Sequence, residues 1–183
     1  MHFEGIPAFD AAVMEFIQTH FHNPVTDAVF PVLTTLGEAG LIWIAAALVL
    51  LCFKKTRMTG TLVLVTMLLT FVSGELILKN IVCRPRPCAA FPDFQMLIAR
   101  PDSYSFPSGH SASSFAAAVM LTLRQKKWGW AALVLAALIA FSRVFLFVHY
   151  PTDVLAGALL GTLFAFAVYT VHKKKLEKPL ADR

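Results

Sequence analysis

Three segments of the chain gather residue types that handle phosphate. The first runs Lys79-Asn-Ile-Val-Cys-Arg-Pro-Arg86-Pro87. The second is Pro107-Ser108-Gly109-His110, and the third holds Ser142-Arg143, then His149, then Asp153. Lys79, Arg86 and Arg143 supply fixed positive charge. A phosphoryl group in transfer spreads negative charge over its equatorial oxygens, and cationic clamps stabilise it. Ser108 ahead of Gly109 and an Ala/Ser-rich apolar run signals a helix N-cap. A helix N-terminus offers unpaired N–H groups and the positive end of the helix dipole, both suited to phosphate. Gly109 lets backbone approach an anion closely. His149 and Asp153 lie four apart around Pro151, a residue that suits the first turn of a helix. Asp153 can then accept a hydrogen bond from one imidazole nitrogen, which fixes the tautomer and leaves the other nitrogen as a nucleophile. No acidic cluster could hold magnesium, so in any phosphoryl chemistry the basic residues must take the part that cations play in metal-dependent phosphatases. Each residue also has a plainer reading. Ser108 could be an ordinary cap, Lys79 and Arg86 could snorkel to headgroups, and either histidine could be a neutral packed ring.

Together the segments spell K-x6-R-P, P-S-G-H and S-R-x5-H-x3-D, complete and in order. With these signatures the chain resembles the type 2 phosphatidic acid phosphatase superfamily, over roughly residues 58–172. The resemblance implies a membrane lipid phosphatase that works without metal or other cofactor. It implies His149 as nucleophile, forming a phosphohistidine. It implies His110 as the acid that protonates the leaving oxygen and then as the base that activates water. Lys79, Arg86, Ser108, Gly109 and Arg143 would hold the phosphate. Small bacterial members of that family include undecaprenyl diphosphate phosphatases and phosphatidylglycerophosphate phosphatases; the expectation leans to undecaprenyl diphosphate, with phosphatidylglycerophosphate or phosphatidic acid as alternatives. Vanadate-dependent haloperoxidases resemble the family in their phosphate-binding motifs but are larger and soluble. A lipid transporter or flippase would also carry intramembrane charge. Such proteins place their sites near the midplane and often show inverted repeats, and this sequence shows neither.

The elements that must position these residues follow from composition. Hydrophobic residues make up 57% of the chain and charged residues 15%, with mean hydropathy +0.67. Soluble domains average about 25% charged residues, so lipid must cover much of this surface. The expected fold is all-α, a multi-span transmembrane bundle with an N-terminal amphipathic helix over 7–21. Phe9, Val13, Phe16, Ile17 and Phe21 recur there at helical spacing, with Asp10, Glu15 and Gln18 between them. A second apolar stretch, 25–36, is too short to span alone and ends at Gly37-Glu38-Ala39-Gly40. Crossings are expected over 39–53, 58–79, 109–123, 128–148 and 152–172, with 25–36 as a sixth crossing or a re-entrant segment in the alternative. A span needs ~20 apolar residues, so the first and third are short. The domain reading is an interfacial segment at 1–38, a phosphatase domain at 39–175 and a cytoplasmic tail at 176–183. The N-terminus carries Glu4 and Asp10 and lacks a basic segment leading an apolar stretch, so insertion is expected from the internal spans.

The net charge of +5 raises nucleic acid as a partner, but the placement of the charges argues against it. Lys54, Lys55 and Arg57 fill one tight loop, Arg124, Lys126 and Lys127 another, and Lys173, Lys174, Lys175 and Lys178 follow the last span. Five alternating crossings put all three clusters on one side, cytoplasmic by the positive-inside rule. The bacterial-type inner membrane is the expected location, with the phosphate-handling motifs and the Pro-rich 81–107 cap outside. The expected partners are therefore the bilayer and a lipid phosphate, and the oligomeric state is open. Glu75, one turn before Lys79, is expected to pair with it or with a loop arginine. Cys83 and Cys88 could form a disulfide or stay as two thiols. Trp43, Trp128 and Trp130 are read as interfacial anchors, and His2, His20, His22 and His172 as interfacial residues without chemistry. The orientation is tested by thiol labelling of intact cells after replacing Cys52, Cys83 and Cys88. An impermeant reagent is expected to label a cysteine at position 93 and spare one at position 175; the reverse pattern overturns it.

Overall fold

In lipid every backbone N–H and C=O must be satisfied within the chain, and a long apolar run does so as helix. The computed structural model describes residues 5–177 and has no strand among them. Its helices are α1 (Ala8–His20), α2 (Pro24–Leu36), α3 (Leu41–Leu51), α4 (Arg57–Phe71), α5 (Gly109–Arg124), α6 (Lys126–Phe145) and α7 (Pro151–Glu177). α4 runs on through a π-helical stretch, Val72–Leu78, and a final α-turn, Lys79–Val82. The 81–107 cap is irregular as expected, except for its helical start and one turn at Pro87–Ala90. His2, Glu4, Lys178 and the expected tail beyond Glu177 lie outside the described residues.

Three helices are long and apolar enough to cross a bilayer: Arg57–Ala90, α6 and Pro151–Leu176. α2 and the segment 38–51 meet the same standard only as a pair, bent by 44°. The expected crossing at 39–53 is thus not a helix of its own. α3 has 11 residues, ~16 Å of helix, and needs α2 to approach the thickness of a bilayer. The bend falls where Ala39 and Gly40 take left-handed φ of 48° and 70°. α5, with 16 residues, is also short at ~24 Å, but both its ends are held within the protein.

α5 lies at the centre, against α7, α6 and α4. Its closest neighbour is α7. A Cβ on Gly157 would stand 2.4 Å from the Ser108 carbonyl oxygen, and one on Gly161 would stand 2.2 Å from that of Ala112. Ala112 and Ala116 answer these glycines from α5, both buried. This is small-xxx-small packing, in which backbones approach closely because no side chain stands between them. It sets the N-terminus of α5 beside the start of α7, where the Ser108 N–H donates to the Asp153 carbonyl at 3.0 Å. Beneath, Val63, Met67, Met120 and Ile139 fill the core. Trp43 joins them, contrary to its expected place at the interface. Its indole donates to Ser114 Oγ on α5 at 2.9 Å, which satisfies the buried N–H and ties α3 inward. Trp128 and Trp130 are exposed.

α1 turns one acidic residue of its polar set into the protein. Asp10, Met14 and Ile17 face inward, while Phe9 and Phe16 are exposed. The aromatic face is therefore outward and the supposed polar residue inward, because Asp10 pairs with Arg84 at 2.7 Å and bonds the Thr152 backbone N–H. At the far end of the bundle, Arg124 Nε reaches Thr59 Oγ1 at 3.5 Å. The C-terminus of α5 and the N-terminus of α4 thus share one end, and their basic clusters with it. Lys173 sits twenty residues along α7 from Asp153, ~30 Å by helix rise.

The α5–α7 contact yields a test. Gly161→Leu drives a side chain into backbone, and overpacking typically costs ~1–3 kcal/mol. A clear drop in the thermal midpoint of the detergent-solubilised protein is expected, whereas Leu159→Ala, at a position 60% exposed, should leave it nearly unchanged. An equal response from the two overturns this account of the packing.

Candidate active site

The residues from Ser142 to Tyr150 are all buried, so the turn between α6 and α7 is an interior one. It closes on Arg143, whose carbonyl accepts from the N–H groups of both Val148 and His149 at 3.2 Å. Phe147 takes a φ of 60° and stacks on Phe94 of the cap, with ring centroids 4.0 Å apart. The cap is itself pinned by Arg100, which donates to the carbonyls of Cys88, Pro92 and Phe94. Helix end and cap together fix where His149 points.

His149 Nε2 meets Arg86 Nη1 at 2.9 Å. A guanidinium has donors only, so Nε2 must be the bare nitrogen and Nδ1 must carry the proton. Burial, reinforced by the charges of Arg86 and Arg143, outweighs the pull of Asp153 and pushes the imidazole pKa down to about 3. Asp153 faces the ring, as its spacing suggested, at a distance long for a hydrogen bond. Its Oδ2 stands 3.6 Å from Nδ1, and Ser105 bridges them, its Oγ 3.3 Å from Nδ1 and donating to Oδ2. The carboxylate also accepts from the Tyr150 N–H at 3.0 Å and from Arg84 Nη1 at 2.6 Å. Arg84 in turn holds Asp10. Arg84 and Arg86 are two residues apart, yet one grips the carboxylate and the other the imidazole.

The phosphate-suited elements converge on the same spot. Ser108 caps α5, accepting from the Ser111 N–H at 3.4 Å. Arg86 reaches the site through Ser103 and the Val148 carbonyl, at 2.7 and 2.9 Å. Arg143, 4% exposed, donates to Thr34 Oγ1, and its Nε is buried without a hydrogen-bond partner. Lys79 is buried and bonded to both Glu75 oxygens at 2.7 Å, the pairing expected from their spacing. Glu75 belongs to the π-helical stretch, and π-bulges are frequent at functional sites. Its Oε1 lies against Gly109, 2.2 Å from where a Cβ would be. The carboxylate therefore rests on the α5 N-terminus that the sequence marks as an anion cradle.

Lys79, Arg86, Gly109, His110, Arg143 and His149 line one cavity of about 500 Å³, with Glu38 and Glu75. The same cavity is also lined by the apolar side chains of Ile44, Leu64, Met67, Leu68 and Phe71. Ser108 and Asp153 stand behind this lining, fully buried. Among the described residues no group of three His, Cys, Asp or Glu could hold a metal ion. Cys83 is exposed and Cys88 buried, both free. His20 and His22 lie apart, against Phe16 and Asp27. Sequence reasoning did not reach Ser105, Thr34, Glu38 or the Asp10–Arg84 pair. Their partners lie 44 to 109 residues away, beyond any local spacing rule; Glu38 alone carried a signal, as a carboxylate inside a Gly-rich break.

The profile of the PAP2 superfamily matches residues 59–177. An undecaprenyl-diphosphatase of Sulfolobus acidocaldarius is 35% identical over 144 residues, covering 76% of this chain and 69% of that protein. The crystal structure of Aquifex aeolicus LpxE superposes with a TM-score of 0.80 at 26% identity, over 93% of this chain and 99% of the other. That of a PAP2-type phosphatidylglycerolphosphate phosphatase from Bacillus subtilis gives 0.76 at 28% identity, over 98% and 90%. The matched profile takes in Lys79, the P-S-G-H turn and the buried turn with His149, and with membrane-length helices around that site the chain belongs to the PAP2 superfamily, as an integral-membrane phosphatase.

Proposed function

We propose that the protein cleaves the terminal phosphate from an isoprenoid lipid diphosphate, undecaprenyl diphosphate being the preferred substrate, through a phosphohistidine on His149. One observation carries this: a bare, buried imidazole nitrogen shares a cavity with Lys79, Arg86 and Arg143, and the rest of that cavity's lining includes a set of large apolar side chains. A phosphate head suits the cationic part of the lining and a lipid chain the apolar part. The similarity to an undecaprenyl-diphosphatase supports the choice of substrate. The second reading is a phosphatidylglycerophosphate phosphatase, favoured by the likeness to the Bacillus subtilis protein.

In the first step His149 Nε2 attacks the terminal phosphorus in line. The P–O bond to the lipid phosphate breaks, and His110 supplies the leaving oxygen's proton where one is needed. Arg86, Lys79, Arg143 and the amides at the start of α5 stabilise the equatorial oxygens. Glu75 must yield Lys79 and its place over Gly109 as the anion enters. In the second step water attacks opposite His149, His110 takes its proton, and the P–N bond electrons return to Nε2. Asp153, through Ser105, keeps the proton on Nδ1 throughout.

The bilayer is crossed five times in this reading: by the bent α2–α3 pair, the long helix from Arg57, α5, α6 and α7. α1 lies along the outer interface with its exposed phenylalanines toward lipid. The site opens on the extracytoplasmic face of the inner membrane, and the basic end is cytoplasmic.

Purified protein offered undecaprenyl diphosphate, phosphatidylglycerophosphate and phosphatidic acid is expected to release phosphate fastest from the first, with EDTA present, and His149→Ala to release none. Activity lost to EDTA and restored by magnesium, or retained by His149→Ala, overturns the mechanism. Ser105→Ala removes one hydrogen bond to a charged group, worth ~1.5–3 kcal/mol. It should lower kcat roughly 10- to 100-fold with KM little altered, and an unchanged kcat would remove the serine from the relay.

A further inference from the structure

The segment from Thr34 to Gly40 precedes the residues that the family profile matches, 59–177, yet it closes the site on the side of His110. Gly37 packs so tightly that a Cβ there would stand 2.9 Å from His110 Cδ2 and 2.5 Å from Ile139 Cγ2. Ala39 then adopts a φ of 48°, a conformation an L-residue enters only under constraint. Between these two residues Glu38 returns to the cavity, its Oε2 3.6 Å from His110 Nε2. That nitrogen is buried and has no hydrogen-bond partner. An unpaired buried polar atom is costly, and this one lines the phosphate cavity. The groups facing His110 across the cavity are Arg86, Arg143 and His149. Glu75, the other carboxylate lining the cavity, is engaged by Lys79 through both oxygens. Glu38 is thus the carboxylate left to stabilise positive charge on the His110 ring.

We propose that Glu38 is the proton partner of His110, a positioning residue for the second half-reaction. The inference rests on the phosphohistidine mechanism above. As water attacks phosphorus, its proton moves to His110 Nε2, and the P–N bond breaks with its electron pair returning to His149. The imidazolium so formed sits beside Glu38, which stabilises it, accepts the proton and hands it on through the cavity it lines. A diphosphate makes the two half-reactions unequal in their need for this. Its leaving group is a lipid phosphate, which departs without a full proton. Formation of phosphohistidine should therefore depend little on Glu38, and its hydrolysis more.

The test uses Glu38→Gln and Glu38→Asp in the full chain, with farnesyl diphosphate in detergent and rapid-quench measurement of acid-labile phosphoenzyme. Glu38 is 68% exposed on its side chain, so the amide should fold normally; an unchanged thermal midpoint checks this. In Glu38→Gln, phosphoenzyme should form at an unchanged rate and break down roughly five- to tenfold more slowly, the effect of one partly solvated charge pair, so that it accumulates. The acidic limb of the breakdown pH profile, where His110 must lose its proton to act as base, should move to lower pH, and Glu38→Asp should restore part of the rate. Unaltered or faster breakdown in Glu38→Gln overturns the proposal, as does an equal loss in both half-reactions, which would mark a general disturbance of the cavity. Absence of phosphoenzyme from the unsubstituted protein would instead remove the covalent mechanism, and this proposal with it.

Discussion

Three cationic side chains, Lys79, Arg86 and Arg143, are buried within a bundle whose outer surface is largely apolar. A charge taken out of water must be paired or hydrogen-bonded, or it destabilises the fold by several kcal/mol. Much of the architecture around the site meets this demand. The π-helical stretch brings Glu75 to Lys79. The cap lends Arg86 the oxygens of Ser103, and the buried turn lends it the Val148 carbonyl. The N-terminal segment lends Arg143 the hydroxyl of Thr34. None of these partners binds its cation with a full complement, and the unpaired Arg143 Nε shows the shortfall. A site that is satisfied enough to fold and short enough of anions to bind one is what a phosphate-transfer enzyme requires.

The same demand explains why irregular backbone occurs here and not elsewhere. The bend between α2 and α3, the π stretch, the cap and the α6–α7 turn all gather at one end of the bundle. Non-helical backbone at membrane depth is tolerated only where protein or a polar cavity satisfies it. The opposite end carries basic loops and ordinary helix termini. α5 connects the two: its N-terminus is part of the site, and its C-terminus reaches Thr59 at the basic end.

Much of the site was legible because its signals are local. The Ser108 cap, the Glu75–Lys79 pair and the His149–Asp153 spacing each depend on residues within one helical turn. The long apolar runs marked the helices, and their basic ends marked a common side. What was not legible depends on distant contact. Trp43 reads as an anchor until Ser114 supplies its acceptor from another helix. Asp10 reads as surface until Arg84 and Thr152 bury it. The Asp153–His149 pair follows from spacing, but the Ser105 hydroxyl that reaches both comes from the cap and has no local signal. The stretch 39–53 reads as too short to cross alone, and the left-handed residues at 39 and 40 place the bend through which α2 continues it.

The interior turn that carries His149 has one more consequence. Helix end and cap bury the ring, which meets the cavity, so in the mechanism proposed above a phosphoryl group on Nε2 would be approached from the face its first leaving group vacated. In that mechanism the lipid would have to clear the cavity before water enters it, so the two displacements would be sequential. Each in-line attack inverts the arrangement of oxygens about phosphorus. Two inversions through the same doorway would restore the original handedness, so a terminal thiophosphoryl group made chiral with oxygen isotopes, hydrolysed in water of the remaining isotope, would leave as inorganic thiophosphate with the configuration it had on arrival.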